Sequence, residues 1–204
     1  LVQEPIYFSD NSGMRLTVAR FYTPLGRSIQ KPYGNSTEEY AYDIVERYRN
    51  GELMQEDSIP RNDSLKYVTA AGKILYGGGG IIPDVFVPLD TVGVNDLYVR
   101  ISRVNLPIRF SMDFADRNRQ ELNRIGSLEE LDAFFARKPV EQEFLGYVAK
   151  NNIAVKSSEW KECGHILLTQ VKAYVGRNTK MDDKGFYPYI GRIDNALLKA
   201  LEVL

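Results

Sequence analysis

The chain has 204 residues and a mass of 23.2 kDa, enough for one or two domains with a sizeable hydrophobic core. Hydrophobic residues make up 44% and charged residues 26%, a balance that excludes intrinsic disorder. The net charge of −1 argues against nucleic-acid binding, and no apolar run approaches the roughly 20 residues that a membrane-spanning helix needs. The chain opens at Leu1, shows no signal-peptide pattern, and is expected to be part of a longer polypeptide.

The first 92 residues hold nine of the sixteen glycines and six of the nine prolines, and they predict strands joined by turns. An aromatic strand over 5–8 ends at a polar turn, and residues 14–22 alternate as in a half-buried strand. Residues 28–30 predict a short edge segment.

One helix and two more strands are predicted in the rest of this part. The helix covers 38–50 and is ended by Gly51, and the strands cover 66–75 and 81–87. The two strands flank a run of four glycines at 77–80.

Residues 93–204 predict only helices. Ser127 and Glu130 have the spacing of a capping box, in which the glutamate reaches back to the Ser127 amide. Pro139 suits the first turn of the next helix. A third helix is expected to begin at Ser157 or Ser158 and to end at Gly176, and a last amphipathic helix covers 193–204. The predicted fold class is α+β, with a strand-rich part over 1–92 followed by an all-helical region over 93–204.

The single cysteine and the single histidine restrict the possible chemistry. One cysteine excludes an internal disulfide, and one histidine excludes His-rich zinc sites. Cys163 and His165 suggest a nucleophile and its base, but side chains two residues apart on a helix point away from each other. A buried thiol beside an ordinary histidine is therefore the favoured interpretation.

Ser28 and Lys31 match the S-x-x-K pattern of acyl-serine enzymes, and residues 9–11 spell their S-D-N. That chemistry requires the serine and lysine on one helical face, whereas the segment lies between Pro24 and Pro32 in a strand-and-turn context. No K-T-G follows, so coincidence is the favoured interpretation.

Residues 77–80 lack the Gly-Lys-Ser/Thr ending and the following helix of a phosphate-binding loop. They are expected to form a loop that needs positive φ or tight packing. Asp182 and Asp183 lack calcium-loop spacing and predict a solvated turn. The sequence predicts no cofactor, no metal site and no nucleic-acid partner, and it contains no complete catalytic constellation.

Residues 16–30, LTVARFYTPLGRSIQ, resemble the segment L-T-V-A-R-Y-Y-T-P-S-G-R-S-I-Q of the S41 carboxyl-terminal processing serine proteases. Residues 80–85, GIIPDV, resemble the family's G-I-x-P-D-V element, and residues 1–3 resemble the end of its G-K-G-x-V-Q strand. The resemblance covers about the first 90 residues. The helical half resembles only the C-terminal extension of Bacteroidetes-type members.

The resemblance implies an endopeptidase with a Ser–Lys dyad that acts on proteins or peptides in the periplasm or cell envelope. The lysine is expected just before Leu1, with the nucleophilic serine and a PDZ domain further upstream, so the chain alone is expected to be inactive. Gln3 carries over as the residue that orients the lysine. The strands would complete the protease core sheet. The alternative is a non-catalytic helical interaction or scaffold module.

Overall fold

A computed structural model describes residues 2–31, 36–78 and 80–204 of the protein. The fold is α+β, with strands near the N-terminus followed by a helical C-terminal region. The chain forms two compact units, residues Leu1–Leu89 and Asp90–Leu204, called here the N-terminal and C-terminal units. The predicted boundary lay after residue 92.

The described residues of the N-terminal unit form two antiparallel hairpins and one α-helix. Strands β1 (Val2–Tyr7) and β2 (Gly13–Ala19) form the first hairpin, with Ile6 opposite Met14 and Glu4 opposite Leu16. Val2 pairs with Ala19 and Gln3 with Thr17, so that β2 carries one extra residue, Val18, at this end.

Helix α1 (Thr37–Arg49) begins where the Ser36 hydroxyl accepts a hydrogen bond from the Glu39 amide at 3.0 Å. Asn50 ends the helix, and Gly51 follows with a φ of 81°. The predicted glycine stop is therefore confirmed at the residue where a left-handed conformation is needed.

The predicted strand over 66–75 is instead a hairpin of β3 (Lys66–Val68) and β4 (Ile74–Tyr76). The Thr69 amide donates to the Lys73 carbonyl at 2.9 Å, and Gly72 has a φ of 79°, so the chain reverses where a continuous strand was expected.

The predicted strand over 81–87 is wrong, because these residues form no strand. Pro83 lacks the amide that a ladder requires. The edge segment predicted over 28–30 is reduced to a single bridge between Tyr22 and Ser28. Residues 20 and 21 of the strand predicted over 14–22 also lie beyond the end of β2.

The C-terminal unit is helical. Its helices are α2 (Asp96–Arg103), α3 (Leu106–Arg117), α4 (Arg119–Leu122), α5 (Leu128–Ala136), α6 (Val140–Lys150), α7 (Ser157–Arg177), α8 (Asp183–Ile190) and α9 (Asn195–Val203). None of the described helices has both the length and the hydropathy of a membrane span.

Phenylalanines fill the centre of this unit. The ring of Phe110 on α3 lies 5.6 Å from that of Phe114 and 5.2 Å from that of Phe144 on α6. The buried Ser111 hydroxyl donates to the Pro107 carbonyl of α3 at 2.6 Å and lies 3.1 Å from the Val171 carbonyl of α7, so α3 and α7 meet at this point. These contacts make one continuous apolar core.

The helices α5 and α9 begin close to where the sequence predicts, but their capping contacts or first residues differ from the prediction. The Ser127 hydroxyl accepts from the Glu130 amide at 3.3 Å, as predicted, but the Glu130 carboxylate accepts from Gly126 at 2.7 Å rather than from Ser127. The final helix begins at Asn195, not at 193, because the Asp194 carboxylate caps it through the Leu197 amide at 3.0 Å.

The sequence predicts that Gly176 ends its helix, but α7 continues to Arg177. Gly176 lies buried inside α7 against Gly185 of α8, where an added β-carbon at Gly176 would stand 2.2 Å from the Gly185 carbonyl oxygen. The glycine is therefore needed for close backbone approach between two helices and not for a turn.

Candidate functional site

The β1–β2 hairpin leads into the family-like segment 16–30, whose first residues belong to β2. Ile6, Met14 and Leu16 lie on one face of the hairpin together with Glu4, and these three apolar side chains are between 40% and 47% exposed. Within the described residues the hairpin is a complete two-stranded sheet, so both of its outer edges have unpaired backbone groups. The hairpin thus presents both a face and two edges to a further element.

Gln3 lies on the other face of β1. Its amide nitrogen donates to the Thr17 hydroxyl on β2 at 3.5 Å, a length at the upper limit for a hydrogen bond. The side chain is exposed, so its amide remains able to contact a group beyond this hairpin. Because side chains on a strand alternate, a residue four positions before Gln3 would share its face if the strand continued.

A tight turn follows β2 and closes the family-like segment. The Thr23 amide donates to the Arg27 carbonyl at 2.9 Å, and Gly26 donates to the Thr23 carbonyl at 2.8 Å. Gly26 has a φ of 78°, which explains the glycine at this position. The bridge between Tyr22 and Ser28 continues the same antiparallel pairing.

Arg27 is only 9% exposed, which the sequence did not reveal. Its Nη1 donates to the Tyr76 carbonyl at 3.2 Å, and its Nε is buried without a partner. The Thr23 hydroxyl oxygen is also buried and unpartnered. An arginine beside a turn glycine is ordinarily solvated, so only the three-dimensional packing could expose this feature.

The S-x-x-K match does not form a catalytic pair. Ser28 and Lys31 lie outside any helix, and the Ser28 hydroxyl accepts from the Gln30 amide at 3.2 Å. Lys31 forms an ion pair with Asp43. The S-D-N match is a turn in which Asp10 accepts bonds from Ser12, and these bonds lower the pKa of Asp10.

The glycine run borders a cavity of about 230 Å³ in the N-terminal unit. Gly78 and Gly80 have φ values of 92° and 100°, which confirms the predicted need for positive φ, while Gly79 lies outside the described residues. The cavity is also lined by the ion pair of Arg47 with Glu52, at 2.9 Å. No helix follows the run, so it cannot hold a phosphate in the manner of a P-loop.

The cysteine and histidine of α7 do not meet. Cys163 is fully buried, whereas His165 is exposed on another side of the helix. Burial raises the pKa of the Cys163 thiol, which makes it a weak nucleophile. Asp183 forms an ion pair with Arg177 at 2.7 Å, and no metal-binding group of side chains occurs among the described residues.

Comparison with known proteins gives one similarity. Residues 97–179, which lie within the C-terminal unit, match the model of a family described as a family of unknown function (DUF8443). No curated protein and no solved structure matches the chain.

Proposed function

We propose that the chain is the C-terminal part of a Ser–Lys endopeptidase, in which the β1–β2 hairpin completes the sheet of the catalytic core. The observation that carries the proposal is that the hairpin has exposed apolar side chains and unpaired edges. Its apolar side chains are half exposed and both edges are unpaired in the described structure, although its second strand begins the segment similar to the S41 proteases. An isolated two-stranded hairpin is only marginally stable in water, so this hairpin needs a further element packed on it, a role that the remaining strands of a core sheet would fill.

In this proposal, the catalytic serine and lysine belong to polypeptide that precedes Leu1. The neutral lysine amine removes the proton from the serine hydroxyl as the oxygen attacks the peptide carbonyl. The lysine then returns the proton to the leaving amine, and water hydrolyses the acyl-enzyme. Burial must depress the pKa of the lysine for this to occur at neutral pH.

Gln3 is the one residue of the chain with an assigned role in this chemistry. Its exposed amide, on the face that a lysine four residues earlier would share, can accept a hydrogen bond from the lysine and hold it toward the serine. It is therefore a positioning residue rather than a proton carrier.

The second candidate is a non-catalytic interaction module. It is favoured by α9, whose Leu197, Leu198 and Leu201 are all exposed. An exposed leucine face on a helix is typical of a protein contact.

The experiment compares the 204-residue chain with a longer chain that includes the preceding polypeptide, using a serine-directed fluorophosphonate and an unfolded protein substrate. We expect labelling and cleavage only in the longer chain. Labelling of the 204-residue chain, or a longer chain that is neither labelled nor active, would contradict the peptidase proposal, and the latter result would favour the interaction module.

The variant Gln3→Ala in the longer chain tests the positioning role. We expect kcat to fall by roughly tenfold with KM unchanged, a part of the 10²–10⁴-fold that a positioned general base contributes. Gln55→Ala is the matched control, because Gln55 is an exposed glutamine of the same unit. Equal activity of the two variants would remove Gln3 from the mechanism.

A further inference from the structure

Two unpartnered polar atoms lie on one turn of the N-terminal unit. In the described chain, the buried side-chain atoms without a hydrogen-bond partner are Thr23 Oγ1, Arg27 Nε and Ser102 Oγ. Thr23 and Arg27 close the same turn and are joined by the 2.9 Å backbone bond described above. Because directly opposed residues of an antiparallel pair present their side chains on the same face, these two side chains are neighbours.

Arg27 is a buried cation without a counter-ion. No carboxylate lies within ion-pair distance of it in the part of the chain that the structure describes, and its single hydrogen bond goes to the Tyr76 carbonyl. Arginine stays charged in proteins, so burial cannot neutralise it. Buried charges are normally paired, and an unpaired one indicates that a partner is missing.

The free edge of the guanidinium defines the chemistry of that partner. Nη1 is used by Tyr76, which leaves Nε and Nη2, two parallel donors that fit the two oxygens of a carboxylate. Nη2 is not among the buried unpartnered atoms of the described chain, whereas Nε is. The Thr23 hydroxyl can donate a further bond to the same oxygen pair.

We propose that Arg27 and Thr23 form a carboxylate-binding site. The carboxylate comes either from an acidic side chain of polypeptide that packs on this unit or from a free ligand, and both would meet the same donors. The site does not depend on the proposed peptidase activity, since neither side chain has a role in that chemistry.

The test follows the Nε–Hε signal of Arg27 by ¹H–¹⁵N NMR while sodium acetate is added to the 204-residue chain at constant ionic strength. Arg47 is the reference for a carboxylate-bound signal, because its Nε donates to Glu52 at 2.9 Å. Arg20 is exposed and without an ion pair in the described structure, so it reports non-specific effects. We expect a saturable shift of the Arg27 signal toward that of Arg47, and none for Arg20.

Two variants sharpen the test. Arg27→Lys assigns the signal by its loss and removes the two-donor fork, and we expect acetate to cause no saturable shift in the backbone amide signals of this turn. Thr23→Val keeps the branched shape without the hydroxyl, and we expect acetate to bind roughly tenfold more weakly, the effect of one charge-assisted hydrogen bond.

The longer chain distinguishes the two sources. If the preceding polypeptide supplies the carboxylate, the Arg27 signal of the longer chain is already shifted before acetate is added. Replacing the acidic residue that supplies it with the corresponding amide then restores the response of the Arg27 signal to acetate. If a free ligand supplies it, the longer chain still responds to acetate. In the longer chain, an Arg27 signal that is not shifted at the start and that responds to acetate no more than the Arg20 signal does would overturn the proposal. This result counts even if the N-terminal unit is unfolded in the 204-residue chain.

Discussion

The two units of the chain differ most in what they bury. The C-terminal unit has a core of twenty buried hydrophobic residues, all between Leu97 and Tyr189. In the described part of the N-terminal unit the buried residues are Arg27 and Glu52, both charged, and no apolar side chain is buried. Because apolar burial is the main source of folding free energy, the described part of the first unit lacks the core that independent folding needs, whereas the second unit has its own source of stability.

The largest expected effect comes from separating the units. We expect residues 90–204 to unfold cooperatively on heating as an isolated fragment, and residues 1–89 to show no cooperative transition. Circular dichroism and amide hydrogen exchange measure both outcomes. A cooperative transition with protected amides in β1 and β2 of the isolated first fragment would contradict the claim that only the C-terminal unit is stable by itself.

A second prediction concerns the contact between α7 and α8. Gly176→Ala places a β-carbon against the Gly185 carbonyl, and we expect it to destabilise the C-terminal unit by about 3 kcal/mol, the upper range for overpacking. Gly146→Ala is the control, since a β-carbon at this position in α6 meets nothing within 4 Å. That substitution is expected to stabilise the unit by up to about 1 kcal/mol. Urea denaturation compares the two, and equal free energies of unfolding would show that α7 and α8 are not in backbone contact.

The smallest effect is a pH dependence of the C-terminal unit. Burial, with a hydrogen bond to Asp132, raises the pKa of Tyr189 well above its ordinary 10.0. Above pH 10 the unfolded chain loses this proton while the folded unit keeps it, so stability falls as pH rises, by at most about 1.4 kcal/mol per pH unit for this group.

Tyr189→Phe is expected to reduce that slope and to cost about 1 kcal/mol at neutral pH through loss of the hydroxyl bond. Tyr187→Phe is the control on the same helix, since Tyr187 is 61% exposed. Denaturation between pH 8 and 11 measures the slopes. An unchanged slope in the Tyr189 variant would mean that this proton is not linked to folding.

The sequence predicted the helical unit better than the strand unit, for a physical reason. Ser127 as a cap and the spacing of Leu131 with Phe134 are local signals, and the structure has both. The role of Gly176 depends on a second helix nine residues further along, and no local pattern encodes it. A glycine at a helix end and a glycine at a helix crossing are indistinguishable until the partner is known.

The same limit applies to the candidate site. The family resemblance predicts that Gln3 orients a catalytic lysine. The position of Gln3 on an exposed strand face does not test that role, which stays a prediction. Arg27 was part of the same resemblance, yet nothing in its neighbours indicated burial or an unpaired guanidinium. The strand expected over 81–87 failed because apolar composition alone does not supply a pairing partner.

The extra residue in β2 has a consequence for the behaviour of the protein in solution. Val18 lies opposite no residue of β1, so the hairpin bends and coils more strongly at that end than a regular ladder does. Flat, regular edges are the templates on which identical chains stack into fibrils, and a coiled edge matches a copy of itself poorly. The irregularity therefore opposes self-aggregation of a hairpin whose apolar side chains are half exposed.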